Sequence, residues 1–166
     1  MPNWCENTVT IIGSKEMLDD FEEHKLSFNY YVPRPPEEEN NWYEWNCENW
    51  GTKWEVDPDD LNIINRDDEK IELEFQTAWA PPIAFFKKLC LIYSKIYIEC
   101  RYVEDGSLGR GIYIFTKNNE QLKETHYNWA QPCEYDDIPE LEGEEIVGTI
   151  VKEKEEDNKS TINIKL

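Results

Sequence analysis

What this chain has little of narrows its chemistry first. Basic residues are outnumbered by acidic ones, 17 against 36, giving a formal net charge of −19 over 166 residues. Such a field repels phosphate backbones and anionic lipid, so it disfavours free nucleic acid or a membrane surface as a direct partner and favours a protein with a basic surface. Solubility is the other reading of the same charge, because a large net charge keeps proteins apart. Only two histidines occur, His24 and His126, and neither has a neighbour at metal-ligand spacing, so no metal is expected. Nothing in the sequence calls for a cofactor. The five cysteines, Cys5, Cys47, Cys90, Cys100 and Cys133, are odd in number and show no C-x-x-C spacing, which points to a reducing, cytoplasmic setting. No apolar run approaches the roughly 20 residues that span a bilayer. The segment Met1–Glu6 lacks the basic and apolar regions of a secretory signal, so the chain reads as soluble and unprocessed.

Catalytic constellations are missing too. Carboxylate pairs such as Asp59-Asp60, Asp67-Asp68, Asp136-Asp137 and Glu144-Glu145 are too abundant to mark a site. A metal-dependent nuclease would also have to admit an anionic substrate against the field of the chain. The glycine-rich stretch from Gly106 to Gly111 lacks the Gly-Lys-Ser/Thr ending and the following helix of a phosphate loop, and reads as a hairpin turn. Nothing local activates Cys5 or Cys47 as a nucleophile. No catalytic residue is assigned.

What is present is a succession of periodic segments. Asn7–Ile12 is a β-branched run ended by Gly13; Ser14 then caps a helix that carries Met17, Leu18 and Phe21 on one face. Leu26–Val32 alternates as a second, weaker strand that Pro33 and Pro35 stop. Glu37–Asn49 has no clear period and is expected to be a loop with a helical turn, packed by Trp42, Tyr43 and Trp45. Leu61–Asn65 pairs as a hairpin with the cleanest strand, in which Ile71, Leu73 and Phe75 face one way and Glu72, Glu74 and Gln76 the other. That strand is expected to be central. Pro81-Pro82 opens a helix with Phe86, Leu89, Cys90 and Tyr93 inward and Lys87, Lys88 and Lys95 outward. Ile96–Tyr102 and Ile112–Thr116 form another hairpin, with a further strand over Leu122–Trp129. Both helices can cover one face of an antiparallel sheet.

Five motifs in order then carry a resemblance. Met1-Pro2-Asn3-Trp4-Cys5-Glu6-Asn7, Pro33-x-Pro35, Asn49-Trp50-Gly51-Thr52-Lys53-Trp54, Thr77-Ala78-Trp79-Ala80-Pro81-Pro82 and the Glu104–Gly111 turn resemble the YubB ferredoxin-like domain family of plasmids, phages and related mobile elements. The likeness covers roughly Met1 to Thr116. It implies an α+β fold, a ferredoxin-like βαββαβ sandwich with two helices on one face of an antiparallel sheet, here with a C-terminal β extension. It brings no activity or catalytic residue to transfer. The Glu37–Glu48 excursion and the tail depart from it. The chain is accordingly divided into a domain over 1–131 and an acidic extension over 132–166, in which Ile146–Val151 and Thr161–Ile164 read as a terminal hairpin.

Two functional surfaces follow. The first is acidic: Glu37, Glu38 and Glu39 in the excursion, with Glu134, Asp136, Asp137, Glu140, Glu142, Glu144 and Glu145 in the tail, would dock on a basic host protein. In a mobile element the expected role is inhibition of a nucleic-acid-binding defence protein. The second is a ligand site made of Trp4, Asn49, Trp50, Lys53, Trp54, Thr77 and Trp79, in which indoles stack a base and Lys53 meets a phosphate. The competing account of those seven residues is that they tie loops to the sheet by packing and hydrogen bonds. Both accounts stay open on sequence alone.

Overall fold

The computed structural model describes residues 3–106, 109–119 and 121–129. Its axis is β1 (Trp4–Ile12), which pairs antiparallel with β3 (Lys70–Ala78) on one side and β4 (Lys95–Glu104) on the other. Alternation explains why: Cys5, Asn7, Val9 and Ile11 of β1 are buried, whereas Glu6 and Thr8 face out. Val9 lies opposite Leu73 and Cys100, and Ile11 opposite Ile71 and Ile98, so three strands present one apolar face in register. With β2 (Asn62–Arg66), β5 (Gly109–Asn118) and β6 (Gln121–Trp129), the sheet runs β2-β3-β1-β4-β5-β6. The strand read as central is therefore interior, one place from the β2 edge, and β1 holds the middle.

Helix α1 (Lys15–Glu23) begins as its sequence requires, with the Ser14 hydroxyl accepting from the Met17 amide at 3.3 Å. Its Met17, Leu18 and Phe21 join the core under the sheet, as do Phe85, Phe86, Leu89 and Cys90 of α4 (Ile83–Ile92). The first four strands and these two helices thus form the ferredoxin-like βαββαβ unit, and β5 and β6 widen its sheet beyond β4. Phe28 welds the layers together: its ring centroid lies 4.3 Å from that of Phe85, 5.9 Å from Trp50 and 6.4 Å from Phe75. The outer strand β6 is held by His126, stacked on Tyr113 at 3.7 Å and hydrogen-bonded to the Tyr102 hydroxyl at 3.1 Å, and by the Lys87–Glu124 ion pair at 2.9 Å.

Three local expectations are corrected. Leu26–Val32 is not a strand: Lys25 and Leu26 take positive φ, 51° and 48°, and Ser27 caps a short helix, α2 (Phe28–Tyr31), by accepting from the Tyr30 amide. Glu55 closes that turn, accepting from the Ser27 hydroxyl at 2.7 Å and the Asn29 amide at 3.0 Å. Four residues are too few for a period, so the apparent alternation carried no β signal. The excursion is helical almost throughout, a 3-10 turn (Pro36–Asn41) running into α3 (Trp42–Asn49). Its only buried residue is Asn46, so no apolar stripe announced it. Lys88 is not a solvent-facing lysine, because its ammonium donates to the Asn49 amide oxygen. The 132–166 extension, with its expected hairpin and the seven acids assigned to docking, lies outside the described residues.

Phe86 is fully buried, with Phe85 at 5.8 Å and Phe115 at 6.3 Å. Phe86→Ala should lower stability by about 3–5 kcal/mol through the cavity it leaves. Urea unfolding checks this as a lower midpoint at unchanged slope.

Candidate functional site

Where α3 ends, the chain must double back toward α4, and Gly51 makes that turn with φ at 86°. A side chain there would meet the Ile83 and Ala84 amide nitrogens at 3.0 and 3.1 Å, so glycine is needed for conformation and for space. The preceding Trp50 is an anchor: it is 3% exposed, its indole N–H donates to the Val32 carbonyl at 3.0 Å, and its own carbonyl accepts from the Phe85 amide at 3.2 Å. Beyond the turn, Thr52 donates to the Ala78 carbonyl at 3.0 Å, pinning this segment to the end of β3. Buried Asn46 donates to the Lys53 carbonyl at 2.8 Å while accepting from Arg34 at 3.0 Å.

The end of β3 is fixed as tightly. Thr77 accepts from Asn7 at 2.9 Å and donates to the Ala80 carbonyl at 2.8 Å, which folds Ala78–Ala80 into a tight bend. Trp79 in that bend has φ at 71°, and its amide donates to the Asn3 carbonyl at 2.9 Å. A bulky residue in this conformation is strained, and such strain persists only where surrounding contacts impose it.

These anchors bring four aromatic rings to one surface. Trp4, Tyr43, Trp54 and Trp79 come from β1, α3, the post-helix turn and the β3 bend, and are 48%, 43%, 38% and 40% exposed. At their centre the Lys53 ammonium sits 4.4 Å from the Trp54 ring centroid, 5.0 Å from Trp79 and 5.7 Å from Tyr43, all within cation–π range. Trp4 lies 6.2 Å from Trp54, and Tyr43 meets Trp79 edge-on at 6.2 Å. Among the described residues no carboxylate pairs with Lys53. Beyond Trp54 the surface dips into a groove of about 370 Å³ lined by Asn29, Arg34, Trp42, Asn46, Trp50 and Glu55.

Of the seven residues assigned to a ligand site, the structure gathers Trp4, Lys53, Trp54 and Trp79. It withdraws the other three. Trp50 and Thr77 are buried and spent on backbone contacts, and Asn49 donates to the Trp45 carbonyl at 2.8 Å and receives Lys88. Tyr43 is the member that motif reading missed, since it belongs to the aperiodic excursion; its only signal was an aromatic in a helix without an apolar face. Of the acidic residues, Glu37 and Glu39 are exposed and Glu38 is half-buried, accepting from Asn41 at 3.3 Å.

The remaining chemistry is structural. Burial pushes the Cys5 thiol up to about 12 and Cys90 to about 11, which leaves both protonated and poor nucleophiles at neutral pH. Cys5, Cys47, Cys90 and Cys100 are all free. In the β4–β5 turn the Gly106 amide donates to the Glu104 carboxylate at 2.8 Å. No cluster of three or more His, Cys, Asp or Glu placed to hold a metal occurs among the described residues, and no helix there is long and apolar enough to cross a membrane.

A family model described as a ferredoxin-like domain in Api92-like protein matches residues 49–161, a span that begins at the Asn49 turn and takes in β2 to β6. No curated protein and no solved structure matches the chain.

Trp50 and Trp54 stand four residues apart with opposite roles, which mutation separates. Trp50→Ala should cost about 3–5 kcal/mol, the range for emptying an aromatic core site. Trp54→Ala should stay within about 1 kcal/mol of the parent, the cost of a surface change that loses a modest ring contact. Urea midpoints of the two variants test the division.

Proposed function

The chain belongs to the family of ferredoxin-like domains in Api92-like proteins, and we propose that it is a non-enzymatic binding protein that docks on the basic surface of another protein. The observation that carries this reading is the convergence of four half-exposed aromatic rings on one patch of a chain with net charge −19. Tryptophan and tyrosine dominate the energetic centres of protein interfaces because they bury much area with few rotatable bonds. Acids around such a centre add little affinity at the rim but steer an oppositely charged partner and reject like-charged ones. The chain as a whole supplies that charge, with 36 acidic residues against 17 basic ones, and Glu37 and Glu39 are exposed.

The finer part of the proposal is biological setting. Kinship with the YubB branch, and with it a plasmid or phage origin, is supported by the five motifs around Trp4, Pro33, Asn49, Thr77 and Gly106. In that setting the partner is a host protein inside the cell whose basic surface otherwise meets nucleic acid, and the acidic domain blocks it. A second reading has one observation in its favour: Lys53 carries no carboxylate partner among the described residues and lies against Trp54 and Trp79, which suits a nucleotide stacked on the rings with its phosphate on the lysine.

The test uses the full chain as bait in host lysate beside a Trp54→Ala/Trp79→Ala double variant. A basic protein retained by the parent at low salt, released by high salt and absent from the variant supports docking through the patch. Equal retention by both baits, or none by the parent, removes it.

A further inference from the structure

Resting on the docking reading, we infer that the aromatic cage is an arginine receptor, and that Lys53 is an internal occupant which the arginine of a partner displaces. The geometry already displays a bound cation: one ammonium lies within 6 Å of three ring centroids contributed by Tyr43, Trp54 and Trp79. In a chain with 36 acidic residues, a lysine held by rings and by no described carboxylate marks those rings as the local cation site. The rings are 43%, 38% and 40% exposed, so the cage opens to solvent.

Walls and occupant differ in how firmly they are held. Trp79 is set by its backbone conformation and its bond to Asn3, Trp54 leans on Trp4, and Tyr43 meets Trp79 edge-on, so each wall has a contact that does not involve the cation. Among the described residues Lys53 is hydrogen-bonded through its carbonyl, which accepts from Asn46, while its ammonium, on a four-carbon stem of rotatable bonds, is held by the rings. A guanidinium has the advantage in this exchange. It is planar, more weakly hydrated than an ammonium and stacks on aromatic faces, so it gives up less water for the same rings. The surrounding negative potential draws arginine-bearing surfaces to the cage, and the partner class is thereby narrowed from basic to arginine-presenting. Lys53 lowers the affinity for any external cation by competing for the same place.

The experiment is a tryptophan-fluorescence titration of the full chain at constant ionic strength with N-acetyl-arginine amide, N-acetyl-lysine amide and AMP, repeated on Lys53→Ala and Tyr43→Ala. Tyr43→Ala leaves every indole reporter in place. Expected are a saturable response to the arginine compound at lower concentration than to the lysine compound, half-saturation about two- to fivefold lower in Lys53→Ala, and higher in Tyr43→Ala. Equal responses to arginine and lysine, or no tightening in Lys53→Ala, overturn the inference. So does saturation by AMP that is lost in Lys53→Ala, which favours the nucleotide reading. A cage that binds arginine while the lysate bait retains no basic protein sinks the docking reading alone. A salt-released partner with no arginine response sinks the cage alone.

Discussion

The register of β1 between β3 and β4 is the constraint on which the rest depends. Because strand side chains alternate with period 2, a slip of β1 by one residue would turn Val9 and Ile11 out of the core, away from Leu73 and Ile98 on its neighbours. The same register sets Trp4 opposite Ala78 and Cys5 opposite Thr77, so the end of β1 meets the bend that carries Trp79. Burial of the apolar face therefore sets where the end of β1 and the Trp79 bend meet. Asn7 makes the link concrete: buried beside the core, it donates to Thr77, whose hydroxyl in turn closes the Trp79 bend.

From this axis the patch is assembled by polar side chains that are buried because they are satisfied. Thr52, Thr77 and Asn46 are each about 2% exposed, and each donates to a backbone carbonyl, Thr52 to Ala78, Thr77 to Ala80 in its own bend and Asn46 to Lys53. Leaving such a carbonyl unpaired would cost roughly 1–3 kcal/mol, so these short polar residues hold the loops more firmly than loop packing would. The segments these bonds tie down carry the four half-exposed rings.

How much of this was legible in the sequence depends on whether periodicity carried the information. Ile71, Leu73 and Phe75 declared β3, Ser14 with Met17, Leu18 and Phe21 declared α1, and the hairpins followed from their turn residues. The helices α2 and α3 were illegible for a physical reason: one is four residues long, and the other fully buries only an amide, leaving its two tryptophans half-buried and its tyrosine exposed. The site was half legible. Tryptophans beside small polar residues in motifs describe both an anchor and a patch, and only burial separates Trp50 from Trp54. Tyr43 enters the cage through α3, so missing the helix meant missing the residue.

Strain and charge give the patch its direction. A tryptophan at φ 71° costs stability of the order of 1–3 kcal/mol, and a glycine at position 79 would avoid that strain. The fold bears the strain at a residue that contributes little to the core and much to the surface, as sites that trade stability for binding do. The lysine beside it has the same logic. Among so many carboxylates an ion pair is the common partner for an ammonium, yet Lys53 is turned toward three π faces, each worth about as much as an exposed ion pair, roughly 0.5–1 kcal/mol. For the arginine exchange proposed above, the cage supplies rings that meet a cation without a carboxylate among the described residues, and the net negative charge of the chain favours a positive arrival.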